Sequence, residues 1–425
     1  MATVVRKRWV SDVTSGLPRR DRRACEYEAY LPDPLGGRSF RLDGAVAADV
    51  ADAERVIQRL DVEAATLLDT EAIARLLLRA EAVGSSHIEG LEIGGRRLLR
   101  AEAAKELGVA AEDVTADEVL GNIEAMKWAV TTLASAKAVT VDGILEVHRR
   151  LLAGTRLEAY GGEIRETQNW IGGSSYNPCS ASFVPPPWEE VESLLEDLCS
   201  FSNADDLPAV AQAAIAHAQF ETIHPFVDGN GRTGRALIHV VLRRRGFATH
   251  VLPPVSVVLA TWAKDYVNGL TATRYLGSPG SEAAVEGLNR WIGLFAAACG
   301  RAVDDALAFE ERIREIQKRW RKTLGSVRRS SAVDLLIAAL PGAPIVTVNS
   351  AAQLIDRSFE RTNQAIARLA DAGVVRPVTV GRRNRAFEAR AVIDAFADLE
   401  RQLASPVGGT RSSPPRRPAP RRHPG

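Results

Sequence analysis

One short stretch of this sequence carries the groups best suited to chemistry. The residues His224–Arg235 spell HPFVDGNGRTGR. Pro225 and the Gly-Asn-Gly break predict a loop up to about residue 230, and the good helix formers that follow predict a helix from Arg232 to Leu242. A loop that leads into a helix presents unpaired backbone N–H groups and the positive end of the helix dipole. The stretch therefore predicts a binding site for an anion such as phosphate.

Four side chains of the stretch could act on a bound phosphate chain. Arg232 and Arg235 lie three residues apart in the first helical turn, so both guanidinium groups can bracket an anion. Asp228 offers a hard oxygen ligand of the kind that Mg²⁺ combines with phosphates. His224 has an ordinary pKa near neutrality and could act as a general base. Each residue alone is more often part of a turn, but a turn does not require the whole set.

The stretch matches the motif HPFx(D/E)GNGRxxR at every fixed position, and the chain resembles the Fic family. The resemblance implies transfer of AMP from ATP to a Ser, Thr or Tyr hydroxyl of a target protein. It implies that His224 deprotonates this hydroxyl, that Phe226 anchors the loop and that Asp228 binds Mg²⁺. It also implies that the nucleotide is bound by Gly229, Asn230, Gly231, Arg232, Gly234 and Arg235.

A segment upstream resembles the β-hairpin flap that covers the active site in this family. Turn residues separate two short apolar stretches between positions 161 and 187, which predicts a hairpin. The resemblance implies that an extended segment of the target docks on it by strand addition. The expected docking residues are Trp170, Ile171, Gly172, Phe183 and Val184.

A second motif lies further upstream, in the residues SSHIEG that begin at Ser85. The apolar spacing of residues 71–80 predicts an amphipathic helix, so Glu89 is expected just beyond a packed helix. Ser85, Glu89 and Gly90 match the family's inhibitory motif (S/T)xxxE(G/N). The resemblance implies that Glu89 pairs with Arg235 and displaces the γ-phosphate.

Composition limits the class of protein that carries these motifs. The 425 residues include 54 Lys plus Arg and 53 Asp plus Glu, a net charge of +1, which excludes a chain that is basic or acidic throughout. The hydrophobic content is 46%, and no apolar run approaches the roughly 18 residues that span a bilayer, so no membrane association is expected. The N-terminus is charged too early for a secretion signal.

Cysteine usage favours a reducing compartment. The sequence contains Cys25, Cys179, Cys199 and Cys299, without CxxC pairing and without His at zinc spacing. Neither a disulfide framework nor a structural zinc site is therefore expected, and a cytoplasmic location fits best.

A length of 425 residues predicts two or three domains at about 150 residues each. We expect a mainly α fold, a Fic helical core with a small β-hairpin flap and a C-terminal winged helix-turn-helix domain. The expected divisions are an N-terminal segment (1–60), an inhibitory helix region (61–105), the Fic core (106–300), a helical linker (301–330), the winged helix-turn-helix (331–400) and a disordered Pro/Arg tail (401–425).

The C-terminal region is assigned from its own pattern. Helices are predicted from Ser331 to Leu340, around Ser350–Ile355 and over Ser358–Ala370, followed by a hairpin at about 377–388 with a basic tip. Together they resemble a winged helix-turn-helix. Such a module could bind DNA with a helix in the major groove or dock another protein, and the sequence leaves both open.

Other functions also stay open at this point. The same residues could remove AMP, with Glu89 positioning a water molecule, or could transfer another nucleotide such as UTP or GTP. The chain could instead be a DNA-binding regulator whose Fic domain senses nucleotide, or a growth-arresting toxin, although a toxin's separate inhibitor is unneeded when Glu89 is built in. From the resemblance we further expect self-modification and a homodimer.

Overall fold

The computed structural model describes residues 1–11, 18–19, 21–65, 70–108, 113–380 and 384–404. Of the expected disordered tail at 401–425, residues 405–425 lie outside the described residues, as do residues 381–383 of the basic hairpin tip. Residues 401–404 belong to a helix, so the expectation of disorder is wrong for them. The described chain is mainly helical with two small antiparallel sheets, which confirms the predicted fold class at this level. Its α-helices are α1 Gly44–Ala65, α2 Thr70–Ile88, α3 Gly95–Glu106, α4 Val114–Trp128, α5 Val141–Leu152, α6 Val191–Asn203, α7 Ala209–Ile223, α8 Asn230–Arg244, α9 Val255–Thr261, α10 Ala263–Ala272, α11 Glu282–Leu324, α12 Ala332–Ala339, α13 Val348–Leu354, α14 Phe359–Asp371 and α15 Arg390–Ala404.

The centre of the molecule is helix α7, every residue of which is buried. Its sequence is rich in alanine and has no polar stripe, which is the pattern of a helix enclosed on all sides. Helices α1, α6, α8 and α11 pack around it. The indole Nε1 of Trp291 in α11 donates a hydrogen bond to the carbonyl of Ala214, at 2.7 Å. This enclosure fixes the position at which α7 ends and the loop 224–229 begins.

Helix α2 is held against the core by a buried polar cluster. The Glu81 carboxylate accepts hydrogen bonds from the Ser256 backbone N–H at 2.7 Å and from the Ser256 hydroxyl, and it lies 2.7 Å from Nε2 of His239 in α8. A Cβ at Gly84 would lie 2.7 Å from the Val257 backbone, so α2 and α9 approach closely at this glycine. These contacts fix the end of α2 that carries Ser85.

The N-terminal residues form a hairpin that the sequence analysis did not predict. Strand β1, Thr3–Trp9, pairs antiparallel with β2, Cys25–Leu31. A disulfide joins Cys25 to Cys179, with the two Cα atoms 5.8 Å apart, so the expectation of no disulfide is wrong. The two cysteines are separated by 154 positions, and spacing rules that search for nearby pairs do not detect a bond of this kind.

The C-terminal region contains all the helices predicted for it. A three-stranded antiparallel sheet of order β3-β5-β4 accompanies α12 to α14, with β3 at Ile345–Val346, β4 at Arg376–Val380 and β5 at Asn384–Glu388. Helix α11 runs without a break past residue 300, where the sequence analysis placed the end of the core. Helix α15 packs against α2, α3, α9 and α11 and so attaches this region to the rest of the chain.

Among the helices of the described ranges, none is both long enough and apolar enough to cross a lipid bilayer.

Candidate active site

The loop between α7 and α8 is shaped by its own side chains. His224 ends α7 in the left-handed conformation, with φ of 50°, and Gly229 precedes α8 with φ of 75°. The amide of Asn230 accepts a hydrogen bond from the Phe226 N–H and donates one to the Phe226 carbonyl, both at 2.8 Å. Asn230 therefore closes the loop on itself, and α8 begins two residues earlier than the sequence predicted.

His148 in α5, which the sequence did not reveal as a site residue, contacts this loop through its ring and both ring nitrogens. The ring of His148 in α5 stacks on the buried ring of Phe226, with centroids 3.7 Å apart. Its Nδ1 accepts the Gly162 N–H at 3.0 Å, so its Nε2 carries the proton and donates to the Asp228 carbonyl at 2.9 Å. Burial lowers the pKa of His148 to about 4, which keeps the ring neutral at physiological pH. The sequence signal available for His148 was its position on the buried face of the amphipathic helix α5.

Arg165 and Asn169 bind the backbone carbonyls of the same loop. The Arg165 guanidinium is 2% exposed and donates to the carbonyls of Pro186 at 2.6 Å, His224 at 2.9 Å and Ile223 at 3.3 Å. Burial lowers its pKa to about 10. The Asn169 amide donates to the carbonyls of His224 and Phe226, both at 3.1 Å. Both side chains donate to backbone carbonyls, and neither forms a hydrogen bond with the ring of His224.

The His224 ring is neutral near pH 7. Burial lowers the pKa of His224 to about 4, and the positive charge of Arg165 acts in the same direction. Among the described residues its Nδ1 has no hydrogen-bond partner. A neutral imidazole held at the mouth of the loop has a lone pair available to accept a proton.

Arg235 is the most deeply buried charged side chain of the motif, and it is bound by helix α2. It is 1% exposed, and it donates from Nε to the Ser85 hydroxyl at 2.9 Å and from Nη2 to the Ser85 carbonyl at 2.8 Å. The same Nη2 lies 2.7 Å from Oε1 of Glu89. Gly90 follows with φ of 80° and turns the chain out of the helix. The structure thus brings the upstream motif onto the last arginine of the loop motif.

The pairing changes the proton affinity of both partners. Burial would raise the pKa of Glu89, but the Arg235 guanidinium holds it below its ordinary value. Burial would lower the pKa of Arg235, and the Glu89 charge raises it instead. Both groups are therefore ionised, and the Glu89 carboxylate is an anion placed at the start of α8.

Two glycines of α8 permit close approach on opposite sides. A Cβ at Gly231 would lie 1.9 Å from Oε1 of Glu89, so the carboxylate rests directly against the helix backbone. A Cβ at Gly234 would lie 2.7 Å from Oε1 of Glu221, so Gly234 faces α7 and not the mouth of the loop. Gly231 therefore sits where an anion meets the helix N-terminus, whereas Gly234 allows α7 and α8 to pack closely.

Arg232 is buried with unused hydrogen-bond capacity. It is 4% exposed, and its Nη2 lies 3.3 Å from Oδ2 of Asp228, whose side chain is half exposed. Within the described residues, Nε and Nη1 of Arg232 have no hydrogen-bond partner. Buried donors of this kind cost free energy unless a partner is supplied, and a bound phosphate chain would supply one.

Glu221 is a buried acid at the site that the sequence analysis did not single out. Burial raises its pKa to about 7, against the nearby charge of Arg235, which lowers it. Its Oε1 has no hydrogen-bond partner among the described residues and lies 4.0 Å from Nδ1 of His217. The His217 Nε2 in turn lies 2.8 Å from the Tyr266 hydroxyl. No local sequence signal marks Glu221, because its environment is assembled from α8 and α10.

The flap segment 170–184 contains less strand pairing than the predicted hairpin. One antiparallel bridge joins Ile171 to Phe183, with the Ile171 N–H donating to the Phe183 carbonyl at 2.8 Å, and no longer strand pairing forms there. Gly172 is left-handed, with φ of 76°, and makes the turn. The Trp170 indole donates to the Ser174 carbonyl at 2.7 Å, and the Val184 carbonyl accepts the Tyr30 N–H of β2 at 2.9 Å. The five expected docking residues lie in this bridge or directly next to it.

Two segments of the chain match known protein families. Residues 138–242 match the Fic/DOC family, and residues 47–131 match the Fic/DOC family N-terminal region. The chain is 29% identical to protein adenylyltransferase fic-1 of Caenorhabditis briggsae over 300 residues, which is 66% of this chain and 55% of that protein. It is 32% identical to protein adenylyltransferase Fic of Drosophila willistoni over 218 residues, 48% of this chain and 42% of that protein. The chain thus spans about half the length of the curated relatives it matches.

A solved structure shares the fold. A Fic family protein from Desulfovibrio desulfuricans G20 superposes with a TM-score of 0.51 at 20% sequence identity, over 82% of this chain and 97% of that chain. The helical architecture around the loop is therefore that of a known Fic fold.

The buried acid predicts a pH-dependent stability. The folded protein keeps the Glu221 proton up to about pH 7, while the unfolded chain loses it near the ordinary value of 4.5, so wild type loses stability as the pH rises between these values. Glu221→Gln does not titrate. We expect the unfolding free energy of Glu221→Gln to rise relative to wild type by about 2 kcal/mol between pH 5 and pH 8, measured by urea denaturation.

The exposed Glu192 provides the matched control, because Glu192→Gln should leave the difference from wild type constant with pH. A difference for Glu221→Gln that is equally constant from pH 5 to pH 8 would contradict the assigned environment.

Proposed function

We propose that the chain is a protein adenylyltransferase that transfers AMP from ATP to a Ser, Thr or Tyr hydroxyl of a protein and is restrained by its own Glu89. The observation that carries the proposal is the buried Arg232, whose free N–H groups adjoin a glycine-rich loop at the start of α8. This arrangement needs an anion to be complete. The similarity to curated adenylyltransferases supports ATP as the source of that anion.

In the proposed reaction His224 acts as the base. The neutral ring accepts the proton of the target hydroxyl, whose oxygen attacks the α-phosphorus of ATP, and the bond from this phosphorus to the bridging oxygen of pyrophosphate breaks. The protein need not form a covalent intermediate, because such displacements depend chiefly on positioning and charge stabilisation. The supports from Arg165, Asn169 and His148 fix the loop on which this base sits.

The phosphates would be bound by backbone and side chains together. The N–H groups of Gly229, Asn230 and Gly231 lie at the helix start, and Arg232 adds two unpaired donors. Arg235 would bind the γ-phosphate once Glu89 leaves it. Gly234 would contribute through α8 packing, since its open side faces α7.

Asp228 is the residue that would bind Mg²⁺. Its carboxylate is half exposed and adjoins the phosphate side of the loop, and a magnesium ion shared with phosphates needs only one or two protein carboxylates. No cluster of three or more metal-binding side chains occurs in the described parts of the chain. When bound, the ion would neutralise charge on the pyrophosphate leaving group.

Glu89 would inhibit by occupying the position of an anion. Its carboxylate rests against Gly231 and binds Arg235, so a nucleotide whose γ-phosphate needs Arg235 has to compete with it. Ser85 would keep the guanidinium aligned through its hydroxyl and carbonyl. The flap segment 170–184 would receive the target, and a second copy of this chain could serve as one in self-modification.

Further parts of the proposal rest on pattern. We include a winged helix-turn-helix identity for residues 331–400, on the helix order and the β3-β5-β4 sheet. We also include a homodimer, on the resemblance, and a cytoplasmic location, on the composition. Within the described residues, the Cys25–Cys179 disulfide counts against a reducing compartment.

Removal of the inhibitory carboxylate should activate the enzyme. We expect Glu89→Gly to raise the initial rate of AMP incorporation from α-labelled ATP and Mg²⁺ at least about tenfold, equivalent to about 1.4 kcal/mol. Intact mass should show a gain of one AMP group. The double variant Glu89→Gly/His224→Ala should show none, because the base is lost.

Glu92→Gly is the matched control for this experiment, since Glu92 is exposed in the turn that follows Glu89 and should behave as wild type. Equal rates in wild type and Glu89→Gly at saturating ATP would disprove the inhibition. No mass gain in any variant, with UTP or GTP or a cell lysate added, would disprove the transferase.

The metal role of Asp228 has its own test. In the Glu89→Gly background, Asp228→Asn should raise the Mg²⁺ concentration needed for half-maximal rate at least about tenfold, because a neutral amide is a weaker ligand than a carboxylate. Asp206→Asn, at an exposed position away from the loop, should leave it unchanged. Identical Mg²⁺ dependence in the two variants would remove Asp228 from the metal site.

A further inference from the structure

The C-terminal region carries a concentrated positive surface that the proposed AMP transfer does not use. A cavity of about 610 Å³ opens between the segment before α12 and the outer side of α14. Its lining includes five arginines, which we call the arginine groove: Arg328, Arg329, Arg357, Arg361 and Arg368. No acidic side chain is among the described residues that line it. The net charge of +1 for the chain therefore hides a strongly basic local site.

Among the described residues, none of the five arginines of the groove forms a salt bridge with a carboxylate, although the charge of Arg329 acts on nearby Asp334, which pairs with Arg321. Arg368 donates to the backbone carbonyls of Leu324 and Ser326, at 3.1 and 2.9 Å, and Arg357 donates to the carbonyl of Asp356 at 2.7 Å. These bonds orient the guanidinium groups but leave their charges unpaired. The surface is therefore suited to an anion that carries several charges.

Helix α14 presents its free face beside this groove. Its inner face, with Thr362, Ala365, Ile366 and Leu369, is buried against α12 and α13. The opposite face is exposed over the length of the helix. Its 13 residues span about 20 Å at 1.5 Å per residue, and a helix of this size fits the major groove of duplex DNA.

The exposed face of α14 also carries groups that read bases. Asn363 and Gln364 lie between Arg361 and Arg368 along the helix and are exposed. Arginine pairs with guanine and amide side chains pair with adenine through two hydrogen bonds each. Two exposed acids, Glu360 and Asp371, lie at the two ends of the helix, and Glu360 accepts a hydrogen bond from Gln364 at 2.9 Å. A protein partner would be better matched by an apolar face, and Phe359 is the only large apolar side chain exposed on the described helix.

We propose that this surface binds duplex DNA, with α14 in the major groove and the arginine groove on the phosphates. Arg328, Arg329 and Arg361 line the cavity and would contact the backbone, while Asn363 and Gln364 on the exposed face of α14 would meet the bases. This binding function is separate from the active site and does not depend on nucleotide transfer.

The test uses the full chain and a fluorescein-labelled duplex of mixed sequence, followed by anisotropy from 50 to 200 mM salt. Arg328→Ala/Arg329→Ala/Arg361→Ala should weaken binding at least about tenfold and reduce the slope of log K against log salt by about three, one unit for each lost phosphate contact. The variant Arg8→Ala/Arg41→Ala/Arg156→Ala removes the same charge outside the groove and should bind as wild type.

Two outcomes would overturn the proposal. The first is absence of wild-type binding at the lowest salt, and the second is equal binding by the groove variant and wild type. Preference for an acidic or phosphorylated peptide over the duplex would also replace DNA with a protein ligand.

A second inference concerns Glu89 and comes from a different set of contacts. Glu89 lies in the turn between α2 and α3, and both helices pack on the C-terminal region. On α2, the Arg79 guanidinium donates to the Gly342 carbonyl at 2.7 Å, and a Cβ at Gly342 would lie 2.8 Å from the Cα of Ala72. Helix α2, which leads into the Glu89 turn, is therefore in direct backbone contact with the segment after α12.

Helix α3 makes charged contacts with the same region. Arg96 lies 2.9 Å from Asp394 of α15, and Arg100 lies 3.3 Å from the buried carboxylate of Glu388 in β5. Glu388 also binds Arg376 of β4. Both sides of the Glu89 turn are thus attached to one body.

We infer, resting on the proposed adenylyltransferase function, that docking of the C-terminal region keeps Glu89 on Arg235. A helix is stiff over its length, so a shift of α2 and α3 at their contacts with residues 342 and 388–394 displaces the turn between them. A ligand bound to the C-terminal region would relieve inhibition by weakening this docking.

The experiment compares two backgrounds. Arg96→Glu/Arg100→Glu, which repels Asp394 and Glu388, should raise AMP transfer several-fold in otherwise wild-type protein and leave the rate of Glu89→Gly unchanged. Arg75→Glu/Lys105→Glu changes the same charge at exposed positions of α2 and α3 and should have no effect. Adding Asp394→Arg to Arg96→Glu should restore inhibition, and thermal denaturation verifies that each variant is folded.

A rise in neither background, or an equal rise in both, would overturn the coupling. An inactive Glu89→Gly protein would instead reject the proposed transferase, so the two failures are distinguishable.

Discussion

The site depends on the need of one buried guanidinium for partners. Arg235 is 1% exposed, and a buried charge without a counter-ion or hydrogen bonds is too costly to persist in a folded protein. Ser85 and Glu89 satisfy it from α2, and this contact joins two motifs that are 146 positions apart in the chain. The same need can be met by phosphate oxygens, so the partner of Arg235 can be exchanged without leaving the charge unpaired.

The loop next to Arg235 is held by a different type of contact. Asn230, Asn169, Arg165 and His148 bond the backbone carbonyls and N–H groups of residues 223–228, so the loop keeps its shape without using the groups that would act on a substrate. His224 and the free N–H groups of Arg232 stay unbonded by side chains of the described residues. The structure thus separates the groups that position the loop from the groups that would do chemistry.

Local patterns predicted a large part of this arrangement. The spacing of apolar residues identified α2 and α14, and the break at Gly229 located the start of α8 within two residues, because helix signals act over one or two turns. The loop and its acidic partner were also found from their motifs. His148, Arg165 and Glu221 were not, because each acquires its role from contacts with distant segments. The disulfide escaped prediction for the same reason.

The asymmetry of the Glu89–Arg235 pair explains how so strong a contact can still act as a switch. Arg235 is enclosed, whereas the Glu89 side chain is 37% exposed, so the acid can move into solvent while the arginine cannot. A partly exposed ion pair contributes about 1 kcal/mol or less to stability. Inverting a two-state population from 1:99 to 99:1 requires about 5.5 kcal/mol, which is more than this one pair supplies. Phosphate contacts to Arg232, Arg235 and the start of α8 form together when the nucleotide binds. These contacts satisfy the unpaired donors of Arg232 or replace the Glu89 carboxylate, so their combined free energy, and not the Glu89 pair alone, decides which anion Arg235 holds.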